Sequence, residues 1–421
     1  MMKRYTVAVI GCGNRGSGFA TMMSGMPDKY EVVSLCDINE KQIPKTEALT
    51  GLKNTEFFLD PDEFFQKKRA DILVIATPDR LHVPQAIKAL KLGYDLLLEK
   101  PISDSREELE LLLRTQEETG RTVVVCHELR YGVGFRKCAE LLDSGIIGKL
   151  YAIDASERVR YWHWAQAYVR GIGASIEDGH PAILAKCSHD LDLVQAYAKS
   201  KCDTVSSIGD LSFFRPENAP EGAAYRCLDC KHRDTCVYSA KRIYIDGWHE
   251  QGEPTFKWPF NKASLTNPHT EESLLKGLRE GEYGVCAFRC KVEKVDHQFV
   301  QMRFQNGVVA SLKMVYAYEP GRRLAFYGNY GEIVFDERSN TVEVAVFGKP
   351  REIIRIETPK GEVQKHGGGD IILVREMYDI LSGVKPCTTP LSESLESHLM
   401  GIAAEESRRL DGQIVKVHQS I

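Results

Sequence analysis

The first third of the chain alternates largely apolar runs with stretches of helical period. Tyr5–Ile10, Glu31–Cys36, Asp71–Ala76, Leu96–Leu98 and Thr122–Cys126 read as short strands buried on both faces. Between them, a stretch running to Met23, then Pro61–Lys68, Leu81–Leu92 and Ser105–Thr119 read as helices, with Gly93 and Gly120 as stops. Strand–helix alternation of this kind predicts a parallel, doubly wound sheet that ends near residue 126.

The pattern then changes. After a helix at Phe135–Ser144, strand-like runs recur at Leu150–Val159, Thr204–Phe214, Val295–Phe304, Val308–Tyr318, Leu324–Tyr327, Ile333–Phe335, Val342–Phe347 and Glu352–Ile356. Asn306-Gly307 marks a hairpin between two of them. Few helices intervene, so a large open, mostly antiparallel sheet in an α+β domain is expected. Helices at Ile372–Leu381 and Ser392–Leu410 close the chain. The expected division is a nucleotide-binding domain at 1–126 and a second domain at 127–421, with a cysteine-rich excursion at 215–292.

Two features give the first domain a chemistry. The first strand enters Gly11-Cys12-Gly13-Asn14-Arg15-Gly16, a G-x-G-x-x-G turn opening a helix. That context marks a dinucleotide site: Gly11 for the tight turn, Gly13 for close approach to pyrophosphate, Gly16 for helix packing. Asp37 ends the second strand, twenty-one residues beyond Gly16, where an acid binds ribose hydroxyls and repels a 2′-phosphate. NAD is therefore expected over NADP. The second feature is the corner Leu98-Glu99-Lys100-Pro101, where proline ends a buried strand and presents Lys100 at its carboxyl end.

Composition narrows the partners. The 421 residues are 43% hydrophobic and 27% charged, with net charge −4 and both signs interspersed, which argues against nucleic acid. No apolar run is long enough to span a bilayer, and Met1-Met2-Lys3-Arg4 leads straight into the first strand. A cytoplasmic location with reduced thiols is expected for the twelve cysteines.

Taken together, the glycine turn, Ala76-Thr77-Pro78 with His82 beyond it, Glu99-Lys100-Pro101, His127-Glu128-Leu129-Arg130-Tyr131 and Ser188-His189-Asp190-Leu191-Asp192 resemble the glucose–fructose oxidoreductase and inositol dehydrogenase (Gfo/Idh/MocA) family. The motifs run in family order over nearly the whole chain. The resemblance implies a Rossmann domain followed by an α+β domain, with a nicotinamide cofactor between them. It implies dimers or tetramers formed through the second-domain sheet. It places Gly11, Gly13, Asn14, Arg15, Gly16, Asp37, Thr77, Pro78, His82, Glu99, Lys100 and Pro101 at the cofactor, and His127, Arg130 and His189 at the substrate.

One departure stands out. On the helix near Ala182–Ala198 the family's aspartate, four residues before the histidine, is Ala185, with Lys186 beside it. Lys186, His189 and Asp190 share an edge at i, i+3 and i+4. Lys186 is expected to assist His189 or to bind an anionic substrate group. The run Tyr161-Trp162-His163-Trp164 supplies flat apolar rings suited to the C–H face of a sugar, or equally to an interface. Cys227, Cys230 and Cys236 have C-x2-C-x5-C spacing, with Cys286 or Cys290 available as a fourth ligand, and suggest structural zinc. His366, before a glycine turn, and Asp296-His297 are further candidates near the site.

The expected reaction is hydride transfer between NAD and a secondary hydroxyl of a sugar or cyclitol, with His189 as base, Lys100 as donor and orienter, and Lys186 assisting. The alternative keeps these residues and uses retained NAD catalytically to cleave or eliminate from a glycoside. A non-catalytic NAD or sugar sensor is the third reading.

Overall fold

The computed structural model describes residues 3–52, 55–266, 268–357 and 365–418. Six parallel strands form the first sheet: β1 (Tyr5–Ile10), β2 (Tyr30–Cys36), β3 (Glu56–Phe58), β4 (Ile72–Ile75), β5 (Asp95–Leu98) and β6 (Val123–Val125), in the order β3-β2-β1-β4-β5-β6. The order reverses beside β1, and the crevice at that switch point is where doubly wound sheets take ligands. The four residues of β4 are all buried, as two covered faces require. The helix Arg106–Thr119 begins on Ser105, whose side chain accepts from the Glu108 amide, and ends at Gly120 with φ 62°. The sequence reading passed over the helix Gln42–Thr50 and the short β3. Pro44 there sits in the first turn, where a missing amide costs nothing.

The second sheet has nine strands: β7 (Leu150–Arg160), β8 (Cys202–Asp210), β9 (His297–Phe304), β10 (Val309–Ala317), β11 (Gly321–Gly328), β12 (Gly331–Asp336), β13 (Thr341–Val346), β14 (Glu352–Arg355) and β15 (Val415–Lys416). Their order is β14-β13-β12-β11-β7-β10-β9-β8-β15. It is mostly antiparallel, but its centre is not: β7 and β10 run parallel. Gly307 turns the β9–β10 hairpin with φ 88°. On β7, Ile153, Ala155 and Val159 face the core in strict alternation, and Glu157 stands in phase with them. Helices Ala182–Ala198 and Leu391–Arg409 cover that inner face. The outer face leaves Tyr151, Ile208, Phe299, Val309 and Ile414 exposed.

The two sheets are not simply strung together. The helix Gly369–Leu381 returns to the first sheet, where Leu373, Val374 and Met377 share a core with Val7, Phe19 and Leu97. Thr389 accepts from the Val125 amide at 3.1 Å and donates its hydroxyl to the Val125 carbonyl at 2.8 Å, occupying the free edge of β6. The excursion between β8 and β9 has its own small core of Ile243, Tyr244, Trp248, Phe260, Leu274 and Leu278. It reaches back to the glycine turn: Asn261 donates to the Asn14 side chain at 3.0 Å, and Lys41 donates to the Leu265 carbonyl at 3.2 Å.

The helix carrying His189 is set by a close approach. A Cβ on Gly401 would lie 2.4 Å from Leu184 Cδ2. Gly401→Val is expected to destabilise the protein by about 1–3 kcal/mol through overpacking, read as a lowered denaturant midpoint with an unchanged slope.

Candidate active site

The glycine turn is shaped by backbone contact at two positions and by open space at the third. Gly11 has φ 85°, and a Cβ there would lie 2.5 Å from the Ala76 carbonyl oxygen. At Gly16 a Cβ would lie 1.9 Å from the Gly11 carbonyl oxygen. Gly13 has nothing within 4 Å of its Cβ position. Packing does not demand glycine there, whereas an anion resting on the start of the helix Asn14–Ser24 would. Asp37 accepts from the Cys12 amide at 2.7 Å and the Asn39 amide at 2.8 Å, so its carboxylate is fixed beside the turn. Carboxylate lone pairs remain for ribose hydroxyls. These donors and acceptors fit a dinucleotide.

The corner after β5 is held from beneath. His82 is buried and spans the Pro101 carbonyl at 2.7 Å and the Thr77 carbonyl at 3.0 Å. Both ring nitrogens are engaged with backbone, so His82 positions the Thr77-Pro78 and Lys100-Pro101 segments from below instead of facing a cofactor. The Lys100–Pro101 peptide is cis. Glu99 accepts from the Lys100 amide at 3.1 Å and from Arg15. Arg15 also pairs with Glu128 and, at 2.7 Å, with Asp370. Expected at the cofactor, Arg15 instead ties the glycine turn to two later segments. Burial pushes the Glu128 carboxyl well up. Asp370 is also buried, yet the His366 hydrogen bond at 2.8 Å and Arg15 hold it down to about 2.

Lys100 crosses to the helix Ala182–Ala198 and donates to the Ala185 carbonyl at 3.3 Å. The backbone thus meets the lysine at the position where the family carries an aspartate side chain. One turn on, His189 is 5% exposed. Its Nε2 lies 3.5 Å from Glu128, and its Nδ1 has no hydrogen-bond partner among the described residues. The His366 and His127 rings stand 5.7 and 5.8 Å away. Burial first, then Lys100 and the neighbouring histidines, hold its pKa well below the ordinary value, so the imidazole is neutral at neutral pH.

Lys186 and His189 part company. Lys186 pairs with Glu157 at 3.0 Å; Arg322 pairs with both Glu157 and Asp190 at 2.8 Å. Burial raises the Asp190 carboxyl to about 6 despite Arg322. A cavity of about 320 Å³ opens over Lys186, Glu157, His163 and Arg322. A larger one of about 790 Å³, sharing Arg160 and Arg338 with it, is walled by Tyr161, Trp162 and the excursion.

Other expected substrate residues lie elsewhere. Trp164 is buried against Tyr168, with ring centroids 4.8 Å apart, and belongs to the sheet core. Arg130 grips Asp192 with two bonds of 2.7 and 2.8 Å. His127 is fully buried 3.8 Å from Asp192, and burial lowers its pKa to about 4. Both form a seam beneath the site. Asp296 accepts from the Ser212 and Phe213 amides and from His297, a loop-bracing role. Cys227, Cys230, Cys236 and Cys286 line one small cavity that Cys290 does not.

The sequence reading missed Glu157, Arg322 and Lys294. Glu157 had a signal, a carboxylate in the apolar phase of a strand. Arg322 opens β11 beside a second arginine, with nothing to distinguish the two. Lys294 is buried, which pushes its pKa down to about 8, and it donates to the Gly179 carbonyl. It lies between the excursion and β9, in no recognisable pattern.

Comparison with known proteins gives consistent results. A model described as an oxidoreductase family with NAD-binding Rossmann fold matches residues 5–127. Its C-terminal α/β companion matches 139–417. YteT of Bacillus subtilis is 22% identical over 90% of this chain and 92% of its own. The 2,7-anhydro-N-acetylneuraminate hydratase of Mediterraneibacter gnavus is 26% identical over 61% of this chain and 64% of its own. A glycosyl hydrolase family 109 protein of a Shewanella strain is 28% identical over 35% of this chain and 34% of its own. Among solved structures, levoglucosan dehydrogenase with NADH and levoglucosan superposes with TM-score 0.71 at 14% identity, over 99% of this chain and all of that one. The WlbA dehydrogenase of Bordetella pertussis, with NADH and UDP-GlcNAcA, gives 0.68 at 17% identity over 99% of this chain and all of that one. Those likenesses establish the fold. No helix among the described residues is long and apolar enough to cross a membrane. With both halves matched by one family's models, the chain belongs to the Gfo/Idh/MocA oxidoreductases.

Proposed function

We propose that the protein transfers hydride between NAD and a secondary hydroxyl of a sugar, cyclitol or sugar derivative. The observation that carries this reading is the buried, neutral His189, with a free Nδ1, on the helix that Lys100 reaches from the end of β5. NAD, when bound along the glycine turn and Asp37, supplies the hydride acceptor. Lys100 donates a hydrogen bond to the substrate oxygen and orients it. His189 takes the hydroxyl proton on Nδ1, and Glu128 stands 3.5 Å from Nε2 on the other side of the ring. Lys186 does not assist this transfer; with Arg160, Arg322 and Arg338 it lines the neighbouring cavity and suits a carboxylate or phosphate on the substrate. Trp162 and Tyr161 supply an apolar wall. Asp37 disfavours a 2′-phosphate, hence NAD over NADP.

A second reading has its own support. The excursion closes on the glycine turn through Asn261 and on Lys41 through Leu265, which favours a cofactor retained between turnovers. A retained cofactor suits transient oxidation, in which a ketone acidifies the adjacent C–H, a leaving group departs and the hydride returns. The hydratase and glycosyl hydrolase names among the relatives agree with that chemistry.

Expected outcomes follow for each. His189→Ala lowers the hydride-transfer rate by ~10²–10⁴-fold, and Lys100→Met lowers it with a raised KM. Full hydride transfer in both variants would overturn the assignment, and absence of both substrate-dependent NADH and bond cleavage would favour a sensor. Because the base works in its neutral form and its pKa is lowered, kcat/KM should stay level down to pH 6.5, the ordinary histidine value, and fall only below it. If the second reading holds, purified protein carries NAD, and glycosides release aglycone without accumulating NADH.

The exposed outer face of the second sheet is proposed as the subunit interface. Phe299→Asp is expected to shift sedimentation from dimer or tetramer towards monomer.

A further inference from the structure

The cysteines of the excursion are arranged as a group, not dispersed as core filler. Cys227 and Cys230 flank a single turn, with the Cys230 amide donating to the Cys227 carbonyl at 3.3 Å. The Cys236 amide donates to the His232 carbonyl at 2.8 Å. Cys286 arrives from fifty residues further on, yet its position is fixed. Arg226 and Val285 form an antiparallel bridge, and the Cys286 amide donates to the Tyr225 carbonyl at 2.9 Å. All four side chains line one cavity of about 20 Å³. The His232 amide points at Cys230 Sγ, 3.4 Å away. Among the described residues the sulfurs do not close to within 4.8 Å of one another in threes, as the acidic cluster around Glu128 does. They ring a space.

A second observation concerns charge. Arg170 is fully buried beside this group. Its guanidinium donates to the Val285 carbonyl at 2.8 Å, the Tyr238 carbonyl at 2.7 Å and Cys227 Sγ at 3.7 Å, and its third nitrogen has no partner. No carboxylate among the described residues pairs with it. A buried cation without a counter-charge is unfavourable, and four cysteines bound to a divalent ion would place net negative charge beside it.

A third observation is the size of what must be held. The excursion at 215–292 packs on a core of its own of about a dozen side chains, with a few others, such as Tyr238 and Ala287, on the second-sheet core, and its helices are of ten residues or fewer. Pieces this small are ordinarily stabilised by disulfides or metal.

We propose that Cys227, Cys230, Cys236 and Cys286 bind one zinc ion as a tetrathiolate site that fixes the excursion against the active-site cleft. Binding forms four Zn–S bonds and releases four thiol protons to solvent. The resulting centre carries two negative charges, and Arg170 neutralises one of them. The cavity matches one small ion; a probe sphere of water size occupies ~10–15 Å³, and an iron–sulfur cube needs several times that. Binding requires the four side chains to rotate inward until their sulfurs lie ~2.3 Å from the metal. Cys290 lies outside the set, its thiol directed at the Cys286 carbonyl at 3.4 Å. The segment just after Cys236 supplies Val237, Arg242, Ile243 and Glu250 to the 790 Å³ cavity, so the metal holds one wall of it. This proposal is independent of which reaction the cleft performs.

The test is metal analysis of the full-length protein, grown with added zinc and purified anaerobically with reductant. About one zinc per chain is expected. Mercurial titration should release it to a colorimetric zinc indicator. Cys286→Ser and Cys230→Ser should lose the zinc, and Cys290→Ser should keep it. Should the serine variants fail to fold, cobalt-substituted wild-type protein serves instead and should show thiolate-to-cobalt charge-transfer bands with intense tetrahedral d–d bands. A wild-type chain with no stoichiometric metal, zinc retained in Cys286→Ser, iron with acid-labile sulfide, or a disulfide within the group would each overturn the proposal.

Discussion

The cleft depends on one half-buried cation that meets buried acids. Arg15 leaves the glycine turn and meets three carboxylates from three parts of the chain: Glu99 after β5, Glu128 after β6 and Asp370 on the returning helix. One guanidinium against three acids leaves an excess of negative charge in a dry place, and the excess is not left bare. His366 bonds Asp370, and the Glu128 carboxyl is raised by its burial. Removing one member of such a set strands the others, which is why breaking a buried pair typically costs about 3–5 kcal/mol. The cluster joins the turn that would cradle a dinucleotide to the helix that packs against the first sheet. It also places Glu128 under His189. The histidine's environment is therefore set by a residue whose own state is fixed from the cofactor side.

A second network stands apart from the first on the substrate side. Glu157, Arg322, Asp190 and Lys186 alternate in sign, and their pairs draw Lys186 away from His189. Residues three apart on one helix thus serve different walls of the cleft. Helical spacing predicts which side chains are neighbours on a surface. It does not predict which will be claimed by a strand packed alongside, and Glu157 on β7 makes that claim.

This marks how far the sequence could be read. Five of the six strands of the parallel sheet were legible as short, largely apolar runs, and only the three-residue, largely exposed β3 escaped. The second sheet was legible as a sheet from its alternation. Its parallel centre was not, because pairing β7 with β10 depends on a connection of about 150 residues that no local pattern encodes. The helix Gln42–Thr50 was passed over, with Pro44 in its first turn and no side-chain cap to mark its start. At the site, the corner at Lys100 and the helix of His189 announced themselves through motifs. Their supports did not. His82, Arg130 and His127 carry family motif positions yet lie below the cleft, bracing backbone and seam. Arg322 and Lys294 are lysines and arginines among fifty-five, and only burial singles them out.

Thr389 has a consequence beyond capping an edge. By hydrogen-bonding both the amide and the carbonyl of Val125, it stitches a late segment of the chain into the first sheet, while the helix that follows lies on the second. Two bodies joined this way are tied at two places, once at the crossing near residue 127 and again on the return, and the excursion that closes on the glycine turn through Asn261 belongs to neither sheet.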